Sequence, residues 1–394
     1  MRRQIAALLA FLAVAVAAPA TASTRADSPV GRRLAVALKV PHVSPVRSSA
    51  VAVDLLTGET LYTQNATRPL APASNEKLPL TYALLTALGP SFRLETTVAQ
   101  SASDLYLVGA GDPSLDHRDL LALARRAHAA GVTSVRRVLG DESLFDTRRT
   151  AAGWKASFYI NESPPLSALV VDRARYGGHV TGDPALAAAL LFRDALRTAG
   201  VRVTGAVATA SAPADAQTLA VVRSPSLASL IEFMDLHSDN FTAELLLKQL
   251  GLLQADQGTT PAGAQTVMRL LGADGLPLAG VRVVDGSGLS QLDRLTTTAI
   301  VAILKALWES PTLQPVLKNA LPVSGRSGTL RDRMQAPPLR GNVLAKTGTT
   351  LEASALSGFV RRRYVFAILQ NGSPLSSWWA RRAQDRFAAV LAGS

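Results

Sequence analysis

Ser74-Asn75-Glu76-Lys77 heads an apolar run through Leu80, Tyr82-Ala83-Leu84-Leu85 and Leu88 that ends at Gly89-Pro90. The run reads as a helix stopped by glycine and proline. Three residues are almost one helical turn, so Ser74 and Lys77 share a face. A serine hydroxyl is a weak nucleophile until a base takes its proton. A lysine can be that base when burial and neighbouring cations lower its pKa. At a helix start Ser74 also turns its own N–H toward the reaction centre. The same four residues equally fit an N-cap serine beside a solvated lysine. Pro79 lies within this helix, and an interior proline costs about 3 kcal/mol. Just beyond the first turn part of that penalty is avoided, and Lys77 is the residue a distortion would shift.

Two further segments decide between these readings. Ser238-Asp239-Asn240 follows the helical stretch 227–236 and opens a second at 241–250. Its serine can relay a proton, and its asparagine amide can bind a carbonyl. All three residues also cap helices. Lys346-Thr347-Gly348-Thr349 continues Val343-Leu344-Ala345 as a strand. Lys346 supplies positive potential, the hydroxyls of Thr347 and Thr349 can hold a carboxylate, and Gly348 lets a ligand backbone lie against the strand. Each motif occurs once, in this order. Together they provide nucleophile, base, proton relay, amide clamp and carboxylate site.

The rest of the chain narrows the setting. At 394 residues, 48% of them hydrophobic, it is long enough for two or three packed units, and the composition argues against disorder. Without cysteine there is no disulfide, thiolate nucleophile or cysteine metal site. Arg2-Arg3, an apolar run from Ile5 to Ala18 and small residues at Ala20 and Ala22 read as a cleaved signal peptide, 1–22. That run is shorter than the roughly 20 residues of a membrane span, and no stable membrane span is expected. The net charge of +12 fits an acidic polymer, an anionic membrane or nucleic acid. An exported chain without a recognised reader motif argues against nucleic acid.

The elements read as α/β of the α+β kind. Hairpin strands at 50–55 and 60–62, late strands at 343–347, 355–360 and 364–370, and flanking helices form one unit, 23–91 with 223–394. Residues 92–222, with short apolar runs and two helices near 119–130 and 185–199, form an inserted mixed region of one or two small lobes. Val281-Arg282-Val283-Val284 reads as a strand. Gly109-Ala110-Gly111 lacks the third glycine of a dinucleotide loop, and Asp112-Pro113 follows where a pyrophosphate would sit. His42, His117, His128, His179 and His237 show no metal spacing, and no cofactor is expected. Arg361-Arg362-Arg363 reads as a solvated turn or a contact for acidic wall polymer.

On these motifs the chain resembles the penicillin-binding proteins and serine β-lactamases. In particular it resembles the class C penicillin-binding proteins, of the D-alanyl-D-alanine carboxypeptidase/endopeptidase type with domains inserted after the first motif. The resemblance extends over Gly109–Leu115, Asp141–Asp146, Pro165–Leu169, Asp285–Ser290 and Leu321–Leu330. It implies an antiparallel sheet flanked by helices and split by the insertion. It implies that Ser74 attacks the carbonyl between two D-alanines with Lys77 as base. Ser238 and Lys346 then assist proton transfer to the leaving D-alanine, and the N–H groups of Ser74 and Thr349 form the oxyanion hole. Implied partners are peptidoglycan peptides ending in D-Ala-D-Ala, with β-lactams as covalent inhibitors. The implied location is the periplasm or extracellular wall space of a bacterium. Two alternatives remain at this point. One is a non-catalytic peptidoglycan-binding protein of the same fold. The other is a β-lactamase, for which no deacylating glutamate stands beside the motifs in sequence.

Overall fold

The computed structural model describes residues 28–394, so the 1–22 segment lies outside the described residues. Five antiparallel strands form the first sheet, in the order Val343–Thr349, Ala353–Val360, Tyr364–Asn371, Ser48–Asp54, Thr60–Gln64. The two ends of the chain therefore meet in one sheet, with Ser48–Asp54 paired to Tyr364–Asn371. Both faces are covered, which explains why Tyr364–Leu369 is apolar throughout rather than alternating. Val365, Ala367 and Leu369 face a core with Leu78, Leu84, Ile300 and Leu304. Tyr364, Phe366 and Ile368 face one with Leu34, Phe387 and Leu391, from the helices Pro29–Leu38 and Ser377–Ala392.

A second sheet is mixed, in the order Val207–Thr209, Arg137–Asp141, Asp104–Val108, Glu95–Ser101, Gln217–Arg223. Its first two pairings are parallel and the others antiparallel. The helices His117–Ala129 and Pro184–Thr198 bury Leu120, Leu123, Phe192 and Leu196 against Val98, Leu105, Leu107 and Val138. Between these elements, residues 142–183 are mostly irregular. Phe145, Leu166 and Val170 join Phe241 and Leu245 of the helix Asn240–Ala255 in a small core. That core ties the second unit to the helix that begins with the Ser238 motif.

Three expectations are corrected. Residues 281–284 are not a strand: only one isolated bridge, Arg282 to Arg294, forms there, and the chain turns at once into the 285–290 loop. Ser74 does not start the α-helix. It lies in a 3-10 turn, Ala73–Glu76, and the α-helix runs Lys77–Leu88. Pro79 is thus the third α-helical residue, in the first turn, where an N–H has no required partner, so the proline is accommodated without displacing Lys77. Gly109-Ala110-Gly111 is a packing device: a Cβ on Gly109 would strike the Ala168 carbonyl, and one on Gly111 the Phe145 ring.

Candidate active site

The turn bearing Ser74 is clamped from two sides. Ala73 is left-handed, φ 47°, a conformation a non-glycine residue adopts only when its surroundings impose it. Gly288 lies against it so closely that a Cβ there would come within 1.9 Å of the Ala73 carbonyl oxygen. On the other side, a Cβ on Gly348 would lie 2.9 Å from the Pro72 carbonyl oxygen and 3.0 Å from the Ser74 nitrogen. The strand thus abuts the serine turn backbone to backbone. Asn75 Nδ2 adds a bond of 3.2 Å to the Lys346 carbonyl.

Lys77 is fully buried. Its Nζ donates to Asn240 Oδ1 and to the Ser287 carbonyl, both at 2.8 Å, and lies 3.4 Å from Ser74 Oγ. The Asn240 orientation is fixed because its Nδ2 donates to the Glu162 carbonyl at 3.1 Å. Asn240 Oδ1 and the Ser287 carbonyl can only accept. They occupy the two N–H bonds of a neutral amine, and its lone pair is then left to face the Ser74 hydroxyl. Burial lowers the Lys77 pKa below the ordinary lysine value, opposed by Asp235, Asp285, Asp239 and Glu244.

Lys346, also fully buried, donates to Ser238 Oγ at 2.8 Å and to the Thr347 carbonyl at 3.0 Å. Burial, and then repulsion from Lys77, push its pKa down to about 7, with Asp235 opposing. Asp235 lies buried on the helix Leu227–Leu236, accepts from Thr81 Oγ1 at 2.7 Å, and is raised by burial to about 6 against the pull of both lysines. Ser238 itself is left-handed, φ 57°. Asp239 caps the next helix through the Thr242 N–H and is held by both terminal nitrogens of Arg173, at 2.8 and 3.3 Å. Burial alone would raise the Asp239 pKa, but Arg173 outweighs it and the carboxyl stays below its usual range.

At the outer edge of the sheet, the Val343 carbonyl accepts from the Ser324 N–H and the Ala345 N–H donates to the Pro322 carbonyl. By the two-residue period of a strand, Thr347 and Thr349 turn their backbone groups to the same edge, past the end of that cover. Their hydroxyls are also engaged: Thr347 Oγ1 lies 2.7 Å from Thr329 Oγ1, and Arg381 donates to Thr349 Oγ1 at 3.3 Å. A cleft of about 450 Å3 is lined by Ser74, Ser238, Asn240, Thr347, Gly348 and Thr349. The two lysines lie beneath it. All eight residues singled out in sequence are therefore brought together.

Sequence reasoning missed several neighbours. The Ser287 carbonyl, Asp235, Arg173, Thr329 and Arg381 stand outside the three motifs, and nothing local in sequence marks Arg173 or Arg381. Glu162 was missed as well: the fold brings it to the rim of the cleft, although its contact to Asn240 is through the backbone carbonyl. Among the described residues no group of His, Cys, Asp or Glu is arranged to hold a metal ion.

Comparison with known proteins gives a consistent result. The D-Ala-D-Ala carboxypeptidase 3 (S13) family matches residues 31–183 and 178–393. A D-alanyl-D-alanine carboxypeptidase of Actinomadura sp. is 32% identical, over 90% of this chain and 83% of its own length. A carboxypeptidase of Mycobacterium tuberculosis is 30% identical, over 94% of this chain and 85% of its own. Among solved structures, penicillin binding protein 4 of Haemophilus influenzae shares the fold with a TM-score of 0.79 at 20% identity, covering 92% of this chain and 98% of that one. With the family match spanning nearly all of residues 31–393, the chain belongs to the D-Ala-D-Ala carboxypeptidase 3 (S13) family.

Proposed function

We propose that this exported bacterial enzyme hydrolyses the terminal D-Ala-D-Ala bond of peptidoglycan stem peptides through an acyl-enzyme at Ser74, and that β-lactams acylate the same oxygen. The observation that carries this reading is the set of contacts at Lys77 Nζ, whose two carbonyl acceptors leave its third position facing Ser74 Oγ.

In this mechanism the substrate lies along the open edge of Val343–Thr349, its terminal carboxylate at Thr347 and Thr349. Lys77 takes the Ser74 proton as Oγ bonds to the carbonyl carbon, a role worth on the order of 10²–10⁴ in rate. The oxyanion forms between the N–H groups of Ser74 and Thr349, where one donor contributes roughly 3–4 kcal/mol. Ser238, bonded to Lys346, passes a proton to the departing nitrogen as the C–N bond breaks. Asn240 holds both Lys77 and the substrate amide side. Water then hydrolyses the ester. No cofactor takes part. Among the described residues no helix is long and apolar enough to cross a membrane.

Intact-mass measurement tests the assignment. Penicillin should add one adduct to the wild type and none to Ser74→Ala. An equal adduct on the variant would remove Ser74 from the chemistry. Slow loss of the adduct from the wild type is expected, and rapid turnover would instead favour the β-lactamase reading.

A further inference from the structure

Lys77 Nζ has two carbonyl acceptors, and one helix stands behind both. Asn240, the first residue of the helix Asn240–Ala255, supplies one of them from its own side chain. The other, the Ser287 carbonyl, belongs to the backbone of the 285–290 loop. Glu244 lies four residues after Asn240 and therefore on the same face of the helix. Its Oε1 accepts from the Gly286 N–H at 3.0 Å and from the Ser287 N–H at 2.8 Å. The residue whose N–H it holds is thus the one whose carbonyl meets Lys77 at 2.8 Å.

The loop rests directly on this helix. A Cβ on Gly286 would stand 2.8 Å from the Ala243 carbonyl oxygen and 3.1 Å from Leu247 Cβ. Glu244 is fully buried, where a carboxyl is costly unless it is hydrogen-bonded. Burial, and then the Asp285 charge, raise its pKa to about 8, so at neutral pH it is mostly an uncharged acid. An acid keeps one carbonyl-type oxygen, and Oε1 is the oxygen placed to receive both N–H groups. An apolar side chain of similar size would fill the space but leave those two backbone donors unpaired. Resting on the function proposed above, we infer that Glu244 is a positioning residue for the base: it fixes the Ser287 carbonyl, which with Asn240 turns the third position of Lys77 Nζ toward Ser74 Oγ. Asn240 acts on the amine directly and Glu244 acts on it through one stretch of backbone.

The test uses the full-length mature protein and two readouts. Stopped-flow labelling by a fluorescent penicillin separates the binding constant from the acylation rate constant. Hydrolysis of a monomeric stem peptide ending in D-Ala-D-Ala separates KM from kcat. Glu244→Leu should lower the acylation rate constant and kcat about 10- to 100-fold, part of what a general base supplies, with the binding constant and KM changed by less than about twofold. Glu244→Gln keeps an acceptor oxygen in the place of Oε1 and should return both rates to within about threefold of the wild type. Gly286→Ala pushes the loop off the helix from the other side and should repeat the loss seen in Glu244→Leu. It carries the test should the thermal transition show that Glu244→Leu does not fold. Wild-type rates in the folded variants, a loss confined to KM and binding, or equal losses in Glu244→Leu and Glu244→Gln would each overturn the positioning role and leave the Ser74 reading in place. A wild type that takes up no penicillin at Ser74 would remove that reading itself.

Discussion

Gly348→Ala puts the backbone contact between the strand and the serine turn to a direct test. The new Cβ would stand 2.9 Å from the Pro72 carbonyl oxygen, 3.0 Å from the Ser74 nitrogen and 3.1 Å from the Ala73 Cβ. Two of these neighbours are backbone and cannot rotate away. Ordinary van der Waals contact begins near 3.4 Å, so the strand and turn must part by about 0.5 Å. Overpacking of this kind costs about 1–3 kcal/mol, which lowers Tm by several degrees. The same half-ångström widens the gap between the Ser74 and Thr349 N–H groups. A misplacement of about 1 Å costs on the order of 10² in rate, and losing one oxyanion donor costs about 10²–10³. The acylation rate constant should therefore fall about 10- to 100-fold. The assay is stopped-flow or gel-resolved labelling by a fluorescent penicillin, with the thermal transition measured on the same samples. A variant that acylates at the wild-type rate would refute the argument, because the two donors would then not depend on this contact.

Other perturbations act on the charges around the cleft. Because Lys346 has its pKa near 7 and its proton is needed at the leaving group, peptide hydrolysis should fall as pH rises through about 7, and Lys346→Met should abolish that limb along with most activity. Arg173→Ala frees Asp239 and should lower kcat about tenfold with KM little changed; Arg173→Lys, lacking the paired donors, should recover only part of it, which a pH–rate comparison on one peptide can check. Glu244 is raised to about 8 by burial and then by Asp285, whereas its ordinary value is 4.5. Between those values the folded chain holds the extra proton, so stability contributed below about pH 4.5 is lost as pH rises through about 8, at up to ~1.4 kcal/mol per pH unit. Glu244→Gln should flatten this decline in a Tm series from pH 5 to 8, and an unchanged slope would assign the decline elsewhere.

Much of the architecture is legible in the sequence because its elements carry local marks. The turn at 56–59 fixes the first hairpin, and the apolar runs 355–360 and 364–370 are strands on any reading. Residues 281–284 fail because β-branched content does not supply a partner strand: the chain there is committed to the 285–290 loop, whose N–H groups are drawn to Asp285. At the site, Ser74, Lys77, Ser238, Asn240 and Lys346 are legible because each brings a distinctive side chain at a distinctive spacing. The Ser287 and Glu162 carbonyls are not, since every residue has a carbonyl and only the tertiary path decides which one meets an amine. Arg173 was invisible for a related reason. Its left-handed neighbourhood, with Asp172, Arg173 and Ala174 at φ 48°, 57° and 60°, is imposed from outside, because residues other than glycine seldom choose it.

Two buried lysines in one cleft pose a charge problem that the surrounding carboxylates resolve unequally. The Asp285 carboxylate accepts from the Gly288 and Ser290 N–H groups at 2.7 Å, from Trp154 Nε1 at 2.8 Å and from Ser287 Oγ at 3.3 Å. Its neighbours adjust to it. Burial and then the Asp285 charge raise Glu76 and Asp293 well above their ordinary values, and among the described residues neither Glu76 oxygen has a hydrogen-bond partner. Asp235, raised only to about 6, is the carboxylate that bears on both lysines, whereas Asp285 and Asp239 bear on Lys77. Repulsion between the two amines favours one ammonium and one free amine. That is the division a base at Ser74 and a proton donor at Ser238 require, and burial moves Lys77 toward the free amine. Removing the balance with Asp235→Asn should therefore leave the cleft's shape intact while withdrawing the proton held at Lys346. The basic limb of hydrolysis would then move to lower pH. An unmoved limb would show that Lys346 is balanced by some other group.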